Sequence, residues 1–191
     1  MPLLRPLRDY NEKDVINIYT LSGARAMTDV INKGTLVKIV GDGWRNDAET
    51  IEMLGSYGDF SVSNVQAQRY GTVAKVGLCG SGASEYPLGI TLFDVRELDE
   101  NAIPLKYNPR KAAELEACIS GQTVPIVTKG VFLYSGLTGT LTPGAPIYAG
   151  VSGTMTAISP TGSGGVALSN VVGMVLGVTG ADGSALIRLT L

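Results

Sequence analysis

Carboxylates are concentrated around the single tryptophan of the sequence, where Asp42, Asp47, Glu49 and Glu52 lie close to Trp44. Two carboxylates at a suitable distance could serve as the acid and the base of a glycosidase. The same oxygens could bind calcium, but their spacing does not match the Asp-x-Asp-x-Asp-Gly loop. No second motif supports either chemistry, so we interpret the segment as a solvated turn followed by a short helix that Asp47 caps.

Other catalytic and cofactor-binding arrangements are missing from the sequence. There is no histidine, which removes the commonest general base and the best zinc ligand. Cys79 and Cys118 are too far apart for a Cys-x-x-Cys motif, and we expect both to be reduced and buried. The glycine-rich stretches around Ser81 and Ser163 contain neither a phosphate-binding loop nor a serine-hydrolase elbow. We therefore predict a protein that is not an enzyme and that uses no cofactor and no metal.

Composition places the chain among folded, turn-rich proteins. Its 191 residues are 45% hydrophobic and 17% charged, with 25 glycines, which is about twice the usual share of glycine. The net charge of -2 cannot supply the cationic surface that binds nucleic acids or anionic membranes. The first residues lack the layout of a signal peptide, and no apolar run has the length of a membrane span. We expect synthesis in a cytoplasm and neither a nucleic acid nor a membrane as partner.

Charge is distributed unevenly along the chain. From Ala117 to the C-terminus only Lys129, Asp182 and Arg188 are charged in 75 residues, and this stretch holds 14 of the 25 glycines. Serine, threonine and glycine can cover a soluble surface, but a surface with few charges is also typical of subunit interfaces. We favour the interface.

Short β-rich runs separated by glycine, proline and aspartate predict a mainly β protein. Asp182-Gly183 predicts a hairpin between the last two runs. Asn108-Pro109 predicts the start of a helix from Arg110 to about Cys118. The predicted strands are residues 15–21, 35–40, 71–78, 88–95, 124–127, 131–134, 145–149, 154–158, 171–178 and 185–191.

The domain organisation follows from these runs and from the fall in charge density. We predict two small antiparallel β-barrel or β-sandwich domains with one or two short helices and an extended N-terminal arm. The arm is residues 1–10, the N-terminal β-rich domain residues 11–105, the helical connector residues 106–120 and the C-terminal β-barrel residues 121–191.

The two halves carry a similar order of residues. Residues 33–37 followed by 87–92 match residues 143–147 followed by 171–176, with the glycine pairs 55 and 29 residues apart. Common turn chemistry could produce this likeness by chance. If the likeness is real, it predicts two related β-domains rather than a solenoid.

The first ten residues combine two prolines, three leucines and two arginines, a composition that resists helix and cannot form a core alone. A disordered terminus is one interpretation. We predict instead an arm that lies over a neighbouring subunit and pairs with an exposed strand edge. The candidate interface residues are Leu3, Leu4, Arg5, Leu7, Arg8 and Tyr10.

The C-terminal stretch contains a pattern that is similar to a known family. The pattern runs Val131-Phe-Leu-Tyr134, Leu141-Thr-Pro-Gly-Ala-Pro-Ile-Tyr-Ala149, Gly153-Thr-Met-Thr-Ala157, Val172-Gly-Met-Val-Leu-Gly177 and Asp182-Gly-Ser-Ala-Leu-Ile-Arg-Leu189. A Pro-Gly strand entry, a central strand with glycine and a closing Asp-Gly hairpin follow one another in that order. Residues 120–191 thereby resemble the small β-barrel domain of capsid decoration, or cement, proteins of tailed bacteriophages.

The resemblance implies a non-enzymatic structural protein of the virion, made in the host cytoplasm. Such a protein binds the outer surface of the assembled capsid as an oligomer, commonly a homotrimer, and stabilises contacts between major capsid subunits. Its partners would be the major capsid protein and further copies of itself.

Two other functions fit the composition. A phage tail-tube or baseplate protein would share the assembly chemistry but form hexameric rings. A carbohydrate-binding β-domain would use Trp44, Tyr57 and Tyr70 as platforms for sugar rings.

Overall fold

Strands dominate the computed structural model of the chain, which describes residues 3–6, 11–21, 30–46, 72–82, 85–119, 122–158, 171–178 and 183–191. The prediction of a mainly β protein is confirmed, with 49% strand and 12% helical residues among those described and one curled half-barrel. The strands are β1 Leu3–Pro6, β2 Val15–Ile16, β3 Thr20–Leu21, β4 Leu36–Asn46, β5 Thr72–Leu78, β6 Pro87–Thr91, β7 Asp94–Val95, β8 Ala117–Cys118, β9 Ile126–Val127, β10 Lys129–Ser135, β11 Pro146–Ala149, β12 Met155–Thr156, β13 Val171–Val178 and β14 Ser184–Thr190.

Every predicted run contains a strand, but two of the runs divide. The run 15–21 forms β2 and β3, because β2 pairs with β9 whereas β3 pairs with β5. The run 88–95 forms β6 and β7, which belong to different sheets. One predicted run can therefore contribute to both edges of a single sheet, as 15–21 does, or to two sheets, as 88–95 does.

The single α-helix of the described residues, α1 Pro109–Glu114, begins where the sequence predicts. The side chain of Asn108 accepts a hydrogen bond from the backbone N–H of Lys111, and proline occupies the first turn, where its missing N–H costs nothing. The predicted extension to Cys118 is wrong. Glu116 has φ of +48°, and Cys118 lies in β8, which pairs parallel with β7. The helix that Asp47 is expected to cap lies outside the described residues.

Two six-stranded sheets form the body of the fold. Sheet A has the strand order β1-β10-β14-β13-β11-β12, and sheet B has the order β2-β9-β6-β4-β5-β3. All neighbours within them are antiparallel except β3 and β5. The C-terminal strand β14 lies between β10 and β13 in the interior of sheet A, so most of its backbone is paired on both sides.

Both sheets contain the same arrangement of five strands. The order β10-β14-β13-β11-β12 in sheet A corresponds to β2-β9-β6-β4-β5 in sheet B. Val37 pairs with Gly89 in sheet B and Ile147 pairs with Gly173 in sheet A, and a register shift follows each pair. The correspondence therefore extends from strand order to the pairing of individual residues.

The turns that enter β4 and β11 are also equivalent. Gly34 and Gly144 have φ of +87° and +86°, a region that residues with a Cβ rarely adopt. Their N–H groups donate at 2.7 Å to the carbonyl oxygens of Thr91 and Val175, respectively. The likeness between the halves that the sequence indicates is confirmed at these positions.

The main hydrophobic core is shared by the two sheets. Leu36, Ile90 and Val127 of sheet B belong to the same buried cluster as Phe132 and Ile187 of sheet A. A second cluster lies on the other side of sheet B and includes Leu21, Val37, Val76, Val95 and Ile126. Strand β9 belongs to sheet B although its residues follow the predicted connector. The predicted domain boundaries stay a prediction.

Candidate functional site

The N-terminal arm forms the edge strand β1 in sheet A. It pairs antiparallel with β10 of its own chain, with Leu3 opposite Ser135, Leu4 opposite Tyr134 and Arg5 opposite Leu133. The arm is thus extended over residues 3–6, and it covers the edge of β10 in its own chain. The sequence analysis had predicted pairing with a strand edge of a neighbouring subunit. Of the other candidate interface residues, Leu7, Arg8 and Tyr10 lie outside the described residues. The role of the arm in an interface stays a prediction.

Leu4 is inserted into the core, where only 3% of it is exposed. It lies against the turn at Gly34, at which an added Cβ would be 3.2 Å from the Cβ of Leu4 and 3.0 Å from Cε2 of Tyr134. Burial raises the pKa of the Tyr134 hydroxyl above its usual range. The glycine turn, the tyrosine ring and the arm therefore fit together without spare space.

The face of sheet A turned away from this core carries two rows of side chains that lie side by side. One row runs Val131, Arg188, Met174 across β10, β14 and β13, and the next runs Arg5, Leu133, Leu186 across β1, β10 and β14. We call these six residues the outer face. Both arginines are exposed, Met174 is 38% exposed, and the other three are half-buried. Large apolar side chains on a solvent-facing sheet are typical of an interaction surface.

The charges of sheet A have a single sign. Its six strands contain Arg5, Lys129 and Arg188 and no aspartate or glutamate. Within the part of the chain that the structure describes, none of the three forms an ion pair. The outer face therefore combines apolar area with uncompensated positive charge.

Two lysines at or near sheet B form ion pairs within the chain. Lys38 Nζ lies 2.6 Å from the carboxylate of Glu85, and Lys33 Nζ lies 2.7 Å from that of Glu116. The hydrogen bond from Lys38, with a second one from the N–H of Gly80, holds the pKa of Glu85 below its usual range. These groups satisfy one another, whereas Lys75 of β5 forms no ion pair within the described residues.

A groove of about 500 Å³ lies beside the edge strand β2. Phe93, 37% exposed, contributes an apolar wall. The lining residues are Glu12, Val15, Asn17, Leu92, Phe93 and Pro125. One carboxylate without a second titratable group or a nucleophile among these residues offers no acid–base chemistry.

Both cysteines are free and buried, as the sequence predicts. Burial raises the pKa of the Cys79 thiol to about 11, with a smaller contribution from the charge of Glu85. Burial alone raises the pKa of Cys118 to about 11. Because the thiolate is the nucleophile, both groups are inert at neutral pH.

The acidic segment around Trp44 gives no described site. Asp42 and Trp44 belong to the backbone of β4, whereas Asp47, Glu49 and Glu52 lie outside the described residues, so a carboxylate pair stays a hypothesis. In the described ranges no group of three or more His, Cys, Asp or Glu side chains could hold a metal ion. None of the described helices is both long enough and apolar enough to cross a bilayer.

No protein-family model matches the chain, and no curated protein matches it significantly. The candidate site is therefore the outer face together with the arm, argued from its own residues. Sequence analysis selected Arg5 and missed the other five residues of the outer face. In β14 the alternation of Leu186, Arg188 and Thr190 with buried neighbours is a signal that could have found Leu186 and Arg188.

Proposed function

We propose that the chain is a non-enzymatic structural protein of a bacteriophage head. As an oligomer, with a trimer as the expected form, it binds the outer surface of the assembled capsid and stabilises contacts between major capsid subunits. It acts on the virion surface after synthesis in the host cytoplasm. In this proposal the two related sheets belong to two small barrel or sandwich domains that pack against each other through the shared core.

The observation that carries the proposal is the surface of sheet A. Five of its six strands lie in the stretch that resembles capsid decoration proteins, and its outer face exposes Met174 beside two arginines that form no ion pair within the described residues. A face that combines apolar area with positive charge suits a protein that works by covering another protein. The inert thiols and the groove without catalytic groups agree with a role that involves binding alone.

The mechanism is mass action. A protein that binds the assembled lattice and not its separated subunits stabilises the lattice by RT ln(1 + [L]/Kd) at each site, and the contributions sum over the sites. No single residue then carries the function, because the free energy comes from buried area repeated over the shell.

The test is addition of the purified protein to undecorated heads assembled from the major capsid protein of the same genome. We expect the protein to cosediment with the heads and to raise the temperature at which they collapse. Heads that are neither bound nor stabilised would contradict the proposal. The mass of the free oligomer separates the proposed trimer from the hexameric ring that a tail-tube or baseplate protein would form.

A further inference from the structure

The outer face has a counterpart in sheet B, and that counterpart is covered. The row Val15, Val127, Ile90, Leu36 in sheet B has the same register as the row Val131, Arg188, Met174, Pro146 in sheet A. Leu36, Ile90 and Val127 are 0% exposed and lie in the core shared with sheet A. In sheet B, another sheet therefore buries this row of positions. The equivalent row of sheet A could be covered in the same way.

The side chains of the outer face determine what could cover it. Arg188 stands where sheet B has the buried Val127, and Arg5 adds a second guanidinium on the neighbouring row. An entirely apolar partner would bury these cations without counter-charges, which costs more than the contact returns. The partner must therefore present carboxylates at its rim and apolar side chains at its centre.

A second copy of the same face does not meet this requirement. Sheet A contributes three cations and no carboxylate among its strand residues. Two outer faces related by a twofold axis would bring arginines towards arginines, and like charges across an interface are unfavourable. The charge pattern favours a different protein over symmetric self-association.

We propose that the outer face is the docking surface for an acidic, partly apolar surface of a different protein. This inference rests on the proposed function, in which that surface belongs to the capsid shell. Met174, Leu133 and Leu186 supply the apolar contact, and Arg5 and Arg188 pair with carboxylates of the shell. Arginine suits this role because its planar group can bind a carboxylate through two hydrogen bonds.

The test compares two double variants with the same change in net charge. Arg5→Glu/Arg188→Glu reverses the outer face, whereas Lys106→Glu/Arg110→Glu reverses two exposed cations near α1. Undecorated heads assembled from the major capsid protein of the same genome are the probe, and cosedimentation is the measurement. We expect the outer-face variant to bind at least about tenfold more weakly and the control to bind like the wild type.

Two further measurements give the experiment its controls. Sodium chloride is expected to weaken wild-type binding and to affect the outer-face variant much less, because the charge pairs are what salt screens. Arg5→Lys/Arg188→Lys is expected to retain most of the binding. Light scattering and thermal unfolding are expected to show an unchanged oligomer mass and an unchanged fold, since both arginines are exposed.

The outcomes separate the two proposals. If the wild type binds heads and the two reversal variants bind equally well, the docking surface is overturned and the proposed function stands. If the outer-face variant loses its oligomer mass, the face belongs to self-association and the docking proposal is overturned. Wild-type protein that does not bind heads contradicts the proposed function, and the docking proposal with it.

Discussion

Sheets A and B each contain five strands in an equivalent order and register. Equivalent rows of positions are nevertheless buried in sheet B and exposed to solvent in sheet A. Ile90 and Val127 in sheet B are 0% exposed, whereas Met174 in sheet A is 38% exposed and Arg188 is exposed as well. Backbone pairing alone therefore does not decide whether a sheet face is core or surface. Whether the face is buried depends on a few of its side chains and on the elements that pack against them.

The charges follow the same division. Around sheet B, Lys33 and Lys38 pair with Glu116 and Glu85. The cations in the strands of sheet A have no such partner in the part of the chain that the structure describes. Sheet B also exposes Ile39, Val40 and Leu78, so the two sheets differ chiefly in the arginines that stand beside the apolar row of sheet A.

A carboxylate at equivalent positions of the two sheets gives the largest expected effect. Ile90→Glu places a charge in the shared core and is expected to lower the free energy of unfolding by about 4 kcal/mol or to prevent folding. Met174→Glu places the same group opposite Arg188 on the outer face, where a cross-strand pair is worth between about 0 and 1 kcal/mol. Urea unfolding measures both.

Similar costs at the two positions would contradict the comparison. If Met174→Glu destabilised as strongly as Ile90→Glu, the outer face would be buried within the chain or its oligomer. If Ile90→Glu prevents folding, Ile90→Thr replaces it as a less disruptive substitution. Met174→Thr is expected to lower the free energy of unfolding much less than Ile90→Thr does.

The second largest loss of stability is expected at one glycine in each sheet, where the neighbouring strand comes very close. A Cβ at Gly89 would lie 2.5 Å from the carbonyl oxygen of Val127, and a Cβ at Gly173 would overlap the carbonyl oxygen of Arg188. Gly89→Ala and Gly173→Ala are each expected to cost about 3 kcal/mol, because backbone must move to make room. Thermal unfolding is the measurement.

Gly177→Ala is the control for this pair. It lies in the same strand as Gly173, and a Cβ there meets nothing within 4 Å, so the expected change in the free energy of unfolding is within about 0.5 kcal/mol. A tolerated alanine at only one of Gly89 and Gly173 would show that the two sheets are less alike than their registers indicate.

The sequence predicted the strands and the likeness between the halves because both depend on local chemistry. Gly34 and Gly144 are needed for positive φ at equivalent turns, and that need can be recognised from turn residues alone. The end of α1 could not be predicted, since Glu116 leaves the helix to let β8 pair with β7. Such a partner is set by tertiary structure.

The outer face could not be predicted in full from the sequence, for a related reason. In β10 the outward residues Val131 and Leu133 are as apolar as the buried Phe132 and Tyr134, so alternation does not tell the two sides apart. Arg5 and Arg188 lie at opposite ends of the chain, and only the pairing of β1, β10 and β14 brings them to one face.

The smallest expected effect on stability concerns the arm. In sheet A the arm pairs with β10, whereas within the described residues no strand pairs with the free edge of β2 in sheet B. Gly144→Ala is expected to cost about 1 kcal/mol, because its φ of +86° strains any residue with a Cβ. Gly34→Ala is expected to cost about 1 kcal/mol more, since its Cβ would also meet Leu4 and Tyr134.

Deletion of residues 2–6 separates the strain from the contact with the arm. Without Leu4 the ring of Tyr134 has room to move, so Gly34→Ala is expected to lose its excess cost in the shortened chain, while Gly144→Ala keeps the same cost. Urea unfolding of the wild type, the shortened chain and each glycine variant in both backgrounds measures the coupling. Equal costs for the two glycines in the full chain would show that the arm does not pack on Gly34 in solution, and sheet A would then have an open edge at β10 like the one that β2 presents in sheet B.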